Sequence, residues 1–261
     1  MKKTLAATAL TMSLSAAAPT FSEETKRSAV SMPISMSDIQ AVSPAFGKYA
    51  RETLLGEVWK RPGMSARDRS VVTVAALIAR GQIVEMPFYF ELALDSGVTP
   101  TELSEIITHL AFYSGFPQGM AAVTVAKDVF AARGIGADQL PQESPELLPL
   151  NQASEDARAK RVEESVGPVS QGVVEYTTML FQDVWQRPGL APRDRSLVTV
   201  ASLIANGQAG QIGFHLNKAM DNGLTATEAS EMLTTLAFYA GWPSVFSAVP
   251  IAKDVIEQRP S

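Results

Sequence analysis

Gln211 and His215 stand four residues apart, so on a helix they share one face. An imidazole titrates nearest to neutral pH and can move a proton there. A carboxamide one turn away can donate a hydrogen bond to developing negative charge. Glu85 and Tyr89 form a second pair with the same spacing. Tyr89 is another oxyanion donor, and a buried Glu85 with a raised pKa would be a second acid. Arg67, Arg69, Arg193 and Arg195 carry planar guanidinium forks suited to carboxylates. Near helix starts such arginines also serve as internal ion pairs and caps. The chain has only two histidines, and the other is His109.

Cysteine is absent, which removes disulfides, thiolate metal sites and thiol peroxidase chemistry. The net charge of −5 gives no electrostatic reason to expect nucleic acid or an anionic membrane as partner. At 46% apolar and 19% charged residues, the chain has enough material for a core and too little charge for a solvated coil.

These residues sit in a unit written twice. VWKRPGMSARDRSVVTVAALIARGQ, starting at Val58, returns as VWQRPGLAPRDRSLVTVASLIANGQ, starting at Val184. From Val58–Val129 to Val184–Val255, about 40 of about 72 positions are identical without a gap, which is duplication. Two copies with a long spacer point to a fused dimer packed about a pseudo-twofold axis. The copies pair Glu85 with Gln211, Tyr89 with His215 and His109 with Thr235. His109, lacking a counterpart, reads as an accessory.

Punctuation predicts helices throughout. Ser65 can cap the first long helix and Pro192 opens its copy. Val71, Val74, Ala75 and Ile78 recur at helical spacing, and Gly81 and Gly207 mark the ends. Thr99 with Glu102, and Thr225 with Glu228, read as capping boxes for a third helix that buries Leu103, Ile106, Ile107 and Leu110. A fourth runs from about Gln118 to Phe130. The spacer GIGADQLPQESPELLPLN should be loop-like, whereas EDARAKRVEE can form a short helix. Tyr113, Tyr239 and Trp242 are expected to pack the repeats together. No alternating strand pattern appears, so the expected fold is all-α.

The run Arg-Asp-Arg, an apolar helix, Gly-Gln, an acidic or amide residue four before His, Ala-x-x-x-Gly, Glu-x-x-Glu and Ala-Phe-Tyr-x-Gly-x-Pro resembles the carboxymuconolactone decarboxylase family. The resemblance covers most of both repeats. It implies two tandem domains of the carboxymuconolactone decarboxylase or alkyl hydroperoxidase D-like type, packed as a pseudo-dimer. The peroxidase branch relies on a Cys-x-x-Cys pair that this chain lacks. The decarboxylase branch places Glu four residues before His. Here that motif is split, with Glu85 in one repeat and His215 in the other. Two readings follow: a specialised fused dimer, or a fold that has lost its chemistry and serves as a binding or assembly module.

On the first reading, the resemblance implies a cofactor-independent decarboxylase acting on a small carboxylated lactone or oxo acid. His215 and Glu85 would be catalytic, and Gln211, Tyr89, Arg67 and Arg193 would bind substrate. No metal, flavin or nucleotide is required. The resemblance also implies ring-shaped homo-oligomers, here a trimer of fused pairs. Lys2 and Lys3 before the apolar run Thr4–Ala18 read as an export signal. A periplasmic or secreted protein is therefore expected, without a membrane span once the signal is removed. The expected layout is a signal at 1–22, a first domain at 36–133, a linker at 134–168 and a second domain at 169–261.

Overall fold

A computed structural model describes residues 34–259, and the expected export signal lies outside them. The described residues form twelve α-helices joined by short 3-10 and π turns, with no strand. The fold is all-α.

The first half opens with α1 (Met36–Val42) and α2 (Pro44–Tyr49), which runs into a π turn at Ala50–Leu55 and a 3-10 turn at Val58–Lys60. Then come α3 (Ala66–Ala79), α4 (Met86–Asp95), α5 (Pro100–Ser114) and α6 (Phe116–Arg133). After a connecting stretch, α7 (Gln152–Val166) and α8 (Gln171–Gln182) lead to a second 3-10 turn at Val184–Gln186. The second half repeats the order with α9 (Pro192–Ala205), α10 (Ala209–Asp221), α11 (Ala226–Tyr239) and α12 (Trp242–Glu257).

The local signals act as their chemistry dictates. The Ser65 hydroxyl accepts from the Asp68 amide, and Pro192 occupies the first turn of α9. Both capping boxes form: the Thr99 and Thr225 side chains accept from Glu102 and Glu228, whose carboxylates bond back to the cap amides. Gly81 and Gly207 take positive φ values of 62° and 70° where α3 and α9 stop. Helices α1, α2, α7 and α8 go beyond the sequence reading. The charged stretch belongs to the fifteen-residue α7, and α8 follows it on weaker local signals.

The centre of the molecule is α3 against α9. Each is buried from its first-turn aspartate to its last alanine, so each is enclosed on nearly every face. The halves then exchange partners: α5 packs on α9 of the other half, and α11 packs on α3. Shared core, rather than a linker alone, joins the repeats. No described helix is long and apolar enough to cross a membrane.

Candidate functional site

The exchange that sets α5 on α9 and α11 on α3 builds two aromatic clusters, each from both halves. Around His215, the indole of Trp185 stacks on the imidazole with centroids 6.0 Å apart and 12° between planes. Tyr113, from α5 of the first half, meets the His215 ring edge-on at 5.3 Å. The Trp185 indole N–H donates to the Tyr113 hydroxyl at 2.9 Å. His109, one turn before Tyr113, stacks on it at 4.9 Å and meets Trp185 edge-on at 5.0 Å. One aromatic cluster thus holds both imidazoles of the chain.

The positions of the two rings set their protonation. Burial, with the Lys218 ammonium adding to it, pushes His215 down to about 4. His109 is wholly buried and is driven well below its usual value by desolvation, with Arg195 and His215 adding to the effect. Both imidazoles are therefore neutral at pH 7. This corrects the expectation that His215 titrates near neutrality: a low-dielectric aromatic shell disfavours the cation. Thr199 gives its single hydroxyl hydrogen to the Arg195 carbonyl at 2.8 Å. His109 must then donate from Nε2 in their 2.7 Å contact, leaving the lone pair on Nδ1. Neither His109 Nδ1 nor His215 Nδ1 has a hydrogen-bond partner among the described residues.

Tyr89 occupies the matching place in the first half. Trp59 donates to the Tyr239 hydroxyl at 2.8 Å, and Tyr239 donates to the Tyr89 hydroxyl at 2.9 Å. Trp59 and Tyr89 stack at 6.2 Å, while Tyr239 meets Tyr89 edge-on at 5.3 Å. Burial raises Tyr89 to about 12; the Tyr239 hydrogen bond opposes this rise, and the Glu85 charge adds to it. Thr235, standing where His109 would, accepts from Arg69 at 2.8 Å. This cluster holds hydroxyls where the other holds imidazoles.

The remaining sequence candidates lie elsewhere. Glu85 is exposed at the start of α4, which corrects the expectation of a buried acid: Met86 turns inward and the carboxylate faces water. Glu85 therefore borders the Tyr89 cluster and does not join His215. Gln211 is exposed in the first turn of α10. Arg67 and Arg193 clamp the seam between the halves. Arg67 reaches Asp194 at 2.7 Å and Glu102 at 2.5 Å; Arg193 reaches Asp68 and Glu228, each at 2.7 Å. Burial opposes the Arg193 charge, but its three carboxylate partners outweigh that and raise its pKa. Arg69 and Arg195 are fully buried. Arg195 donates to Glu105 across the seam at 3.0 Å, and its Nη1 is without a hydrogen-bond partner among the described residues. Gly189 lets this seam close, since a Cβ there would stand 2.9 Å from Glu105 Cγ. Trp242, expected to pack the repeats, is half exposed against Phe238, whereas Tyr113 and Tyr239 do bridge the halves.

A hollow of about 380 Å³ opens beside the His215 cluster. Trp185, Phe181 and Phe214 give it aromatic walls, while Lys218, Arg158 and Arg161 bring positive charge. Phe214 meets the His215 ring edge-on at 5.0 Å, so His215 lies directly behind that wall. Trp185 and Lys218 were not singled out from sequence. The tryptophan stands in the repeated VWQRPG motif, and the lysine is one turn beyond His215. Among the described residues, no group of three or more His, Asp or Glu is placed to hold a metal ion.

Comparison with known proteins adds a second line of argument. Residues 44–128 and 175–254 match the family described as carboxymuconolactone decarboxylase. A 4-carboxymuconolactone decarboxylase of Acinetobacter baylyi is 34% identical over 106 residues, covering 41% of this chain and 79% of that protein. A nitrosuccinic acid decarboxylase of Metarhizium robertsii is 37% identical over 80 residues, covering 31% of this chain and 56% of the relative. Among solved structures, a chain described as a gamma-carboxymuconolactone decarboxylase subunit, from Burkholderia xenovorans, superposes with a TM-score of 0.54 at 18% identity. That match covers 84% of this chain and 89% of the other, and it supports the fold alone.

Proposed function

Because the chain belongs to the carboxymuconolactone decarboxylase family, we propose that it is a carboxy-lyase acting on a small carboxylated lactone or oxo acid, with chemistry confined to the His215 cluster. The carrying observation is a neutral His215, its Nδ1 without a hydrogen-bond partner among the described residues, directly behind the Phe214 wall of a hollow whose rim is cationic. The relatives named as decarboxylases support the reaction class.

The step follows from the charges. A substrate carboxylate entering the hollow brings negative charge toward His215 and raises its pKa, so the ring takes up a proton from water. The bond from carbon to the carboxylate then breaks and carbon dioxide leaves. The electron pair spreads into a conjugated carbonyl of the substrate. Once the Phe214 side chain in front of it turns aside, the His215 imidazolium returns a proton to carbon and becomes neutral again. Tyr113, whose ring meets the His215 ring edge-on, carries the hydroxyl of this cluster that can donate to the developing oxyanion. The balance is closed by one proton from solvent and needs no electron acceptor. Glu85 and Gln211 have no part in this version, and Tyr89 belongs to a hydroxyl network that ties the first half to α11 of the second.

The test is carbon dioxide release from a panel of lactone acids and oxo acids. His215→Ala should abolish release that Tyr89→Phe and Glu85→Ala leave intact. Equal activity in all three variants would end the assignment.

Two further parts of the proposal concern context. Phe116, Met120 and Val123 on α6, and Trp242, Phe246 and Val249 on α12, form matching exposed stripes at helical spacing. They support self-association into a trimer of fused pairs; a light-scattering mass of one chain would contradict it. The basic and apolar start of the sequence supports export to the periplasm or beyond, checked by the N-terminus of the protein recovered from a fractionated host.

A further inference from the structure

The hollow beside His215 is not built from the repeat alone. Asn151, Ser154, Glu155, Arg158 and Arg161, from α7 and its cap, form one side of it. This helix lies in the segment between the two family-matched regions. It is fixed in place from several directions. Arg158 and Glu155 are both buried and bonded to each other at 2.6 and 2.8 Å. The Arg158 guanidinium lies 4.6 Å over the Phe181 ring, and Gln182 donates to Glu155 at 3.3 Å.

The charges around the hollow do not cancel. Glu155 is taken up by Arg158, and nearby Asp221 is taken up by Arg259 at 2.5 Å. Two cations remain. The Lys218 ammonium is partly buried, 4.8 Å over the Trp185 ring, and Arg161 lies 5.4 Å over Phe214. Neither has a carboxylate within ion-pairing distance among the described residues; Arg161 is exposed to solvent, but Lys218 is partly buried, where most other buried or half-buried cations here do have such a partner. Asn222 and Gln186 add amide groups to the same lining. A half-desolvated ammonium without a counterion costs free energy that an entering anion recovers. Burial also lowers the Lys218 pKa, in keeping with an unmatched cation, although Asp221 and Glu155 partly offset this.

We propose that α7 completes an anion-recognition subsite in which Lys218 and Arg161 hold a carboxylate of a flat, unsaturated ligand against the Trp185 and Phe214 walls. This inference rests on the reading of the His215 cluster as the reactive site and names the residues that set its selectivity. It also explains why only one half would be selective for anions. The first-half counterpart of Lys218 is Leu92, a buried apolar residue, and that of Phe181 is Leu55.

Equilibrium binding separates this subsite from turnover. Calorimetry on the full chain should show fumarate, a planar dicarboxylate, binding, and its uncharged diamide not binding. Lys218→Met and Arg161→Gln should each weaken fumarate binding about tenfold, the usual effect of losing one charge-assisted hydrogen bond. Lys218→Arg should retain most of it, and rising salt should weaken it. Thermal melts of the variants check that they fold. Wild-type protein that fails to bind fumarate, that binds the diamide equally, or that is matched by both loss variants would overturn the proposal. If fumarate binds in this way and wild type releases no carbon dioxide from any acid, the catalytic reading fails while the subsite stands.

Discussion

The two aromatic clusters use the same backbone positions and differ in what those positions can hold. Around Tyr89, three polar groups form a closed chain: the indole of Trp59 donates to Tyr239, which donates to Tyr89. Around His215, the corresponding indole donates to Tyr113 and an imidazole takes the place of the second phenol. A second imidazole, His109, takes the place of Thr235. Thr235 is small enough to accept from Arg69, whereas His109 turns instead to Thr199, so among the described residues Arg195 leaves both Nε and Nη1 without partners where Arg69 leaves Nε alone. The contrast shows how duplication can separate roles. One copy pairs the indole and both phenols of its aromatic cluster, while the other leaves ring nitrogens without partners among the described residues, beside a hollow.

The largest expected effect contrasts the two clusters directly. His215→Ala should lower carbon dioxide release by about 100-fold or more, the typical contribution of a positioned acid, while Tyr89→Phe should change it less than about twofold. Comparable losses in both would show that the halves are functionally equivalent. Next in size is the seam. Glu105 is fully buried and serves Arg195 and Arg187, whereas Glu231 serves Arg69 and the half-exposed Arg61. Removing one partner of a buried pair costs about 3–5 kcal/mol. Glu105→Ala should therefore destabilise the chain by about that much in denaturant melts, and by more than Glu231→Ala, whose guanidinium partner is better hydrated.

Tyr239→Phe should cost about 1–3 kcal/mol, because it leaves the buried Trp59 N–H without an acceptor and deprives Tyr89 of its donor. A pH dependence belongs to the second cluster. The folded-state pKa of His215 is about 4, below the unfolded value of about 6.5. Between these values the unfolded chain binds more protons, so stability should fall as pH drops through that window. His109 shifts the same way. His215→Phe should flatten the decline, and Tyr89→Phe should leave it unchanged. With only two histidines in the chain, their ring signals can be followed directly by NMR. His215 titrating near 6.5 in the folded protein would remove the basis of the contrast.

Much of the fold was legible because its signals are local. Capping boxes at Thr99 and Thr225, glycines after α3 and α9, and apolar spacing along both helices depend on neighbours a few residues away. Helix α8 lacked such strong cues and emerges from packing against α7. For the candidate site, His215 carried a usable signal, but Glu85 did not reveal its exposure. A glutamate before Met-Pro looks the same in sequence whichever way the helix turns.

The sequence by itself determined the duplication, the helical fold class, the absence of thiol chemistry and the split of the Glu and His positions between copies. Those are properties of composition and spacing. Only the tertiary structure decided that Tyr113 and His109 of one half surround His215 of the other, and that Arg67 and Arg193 close a seam. Only packing also set both imidazoles neutral and brought α7 to the rim of a charged hollow. Such outcomes depend on distances between residues far apart in the chain, and on how much water is excluded between them.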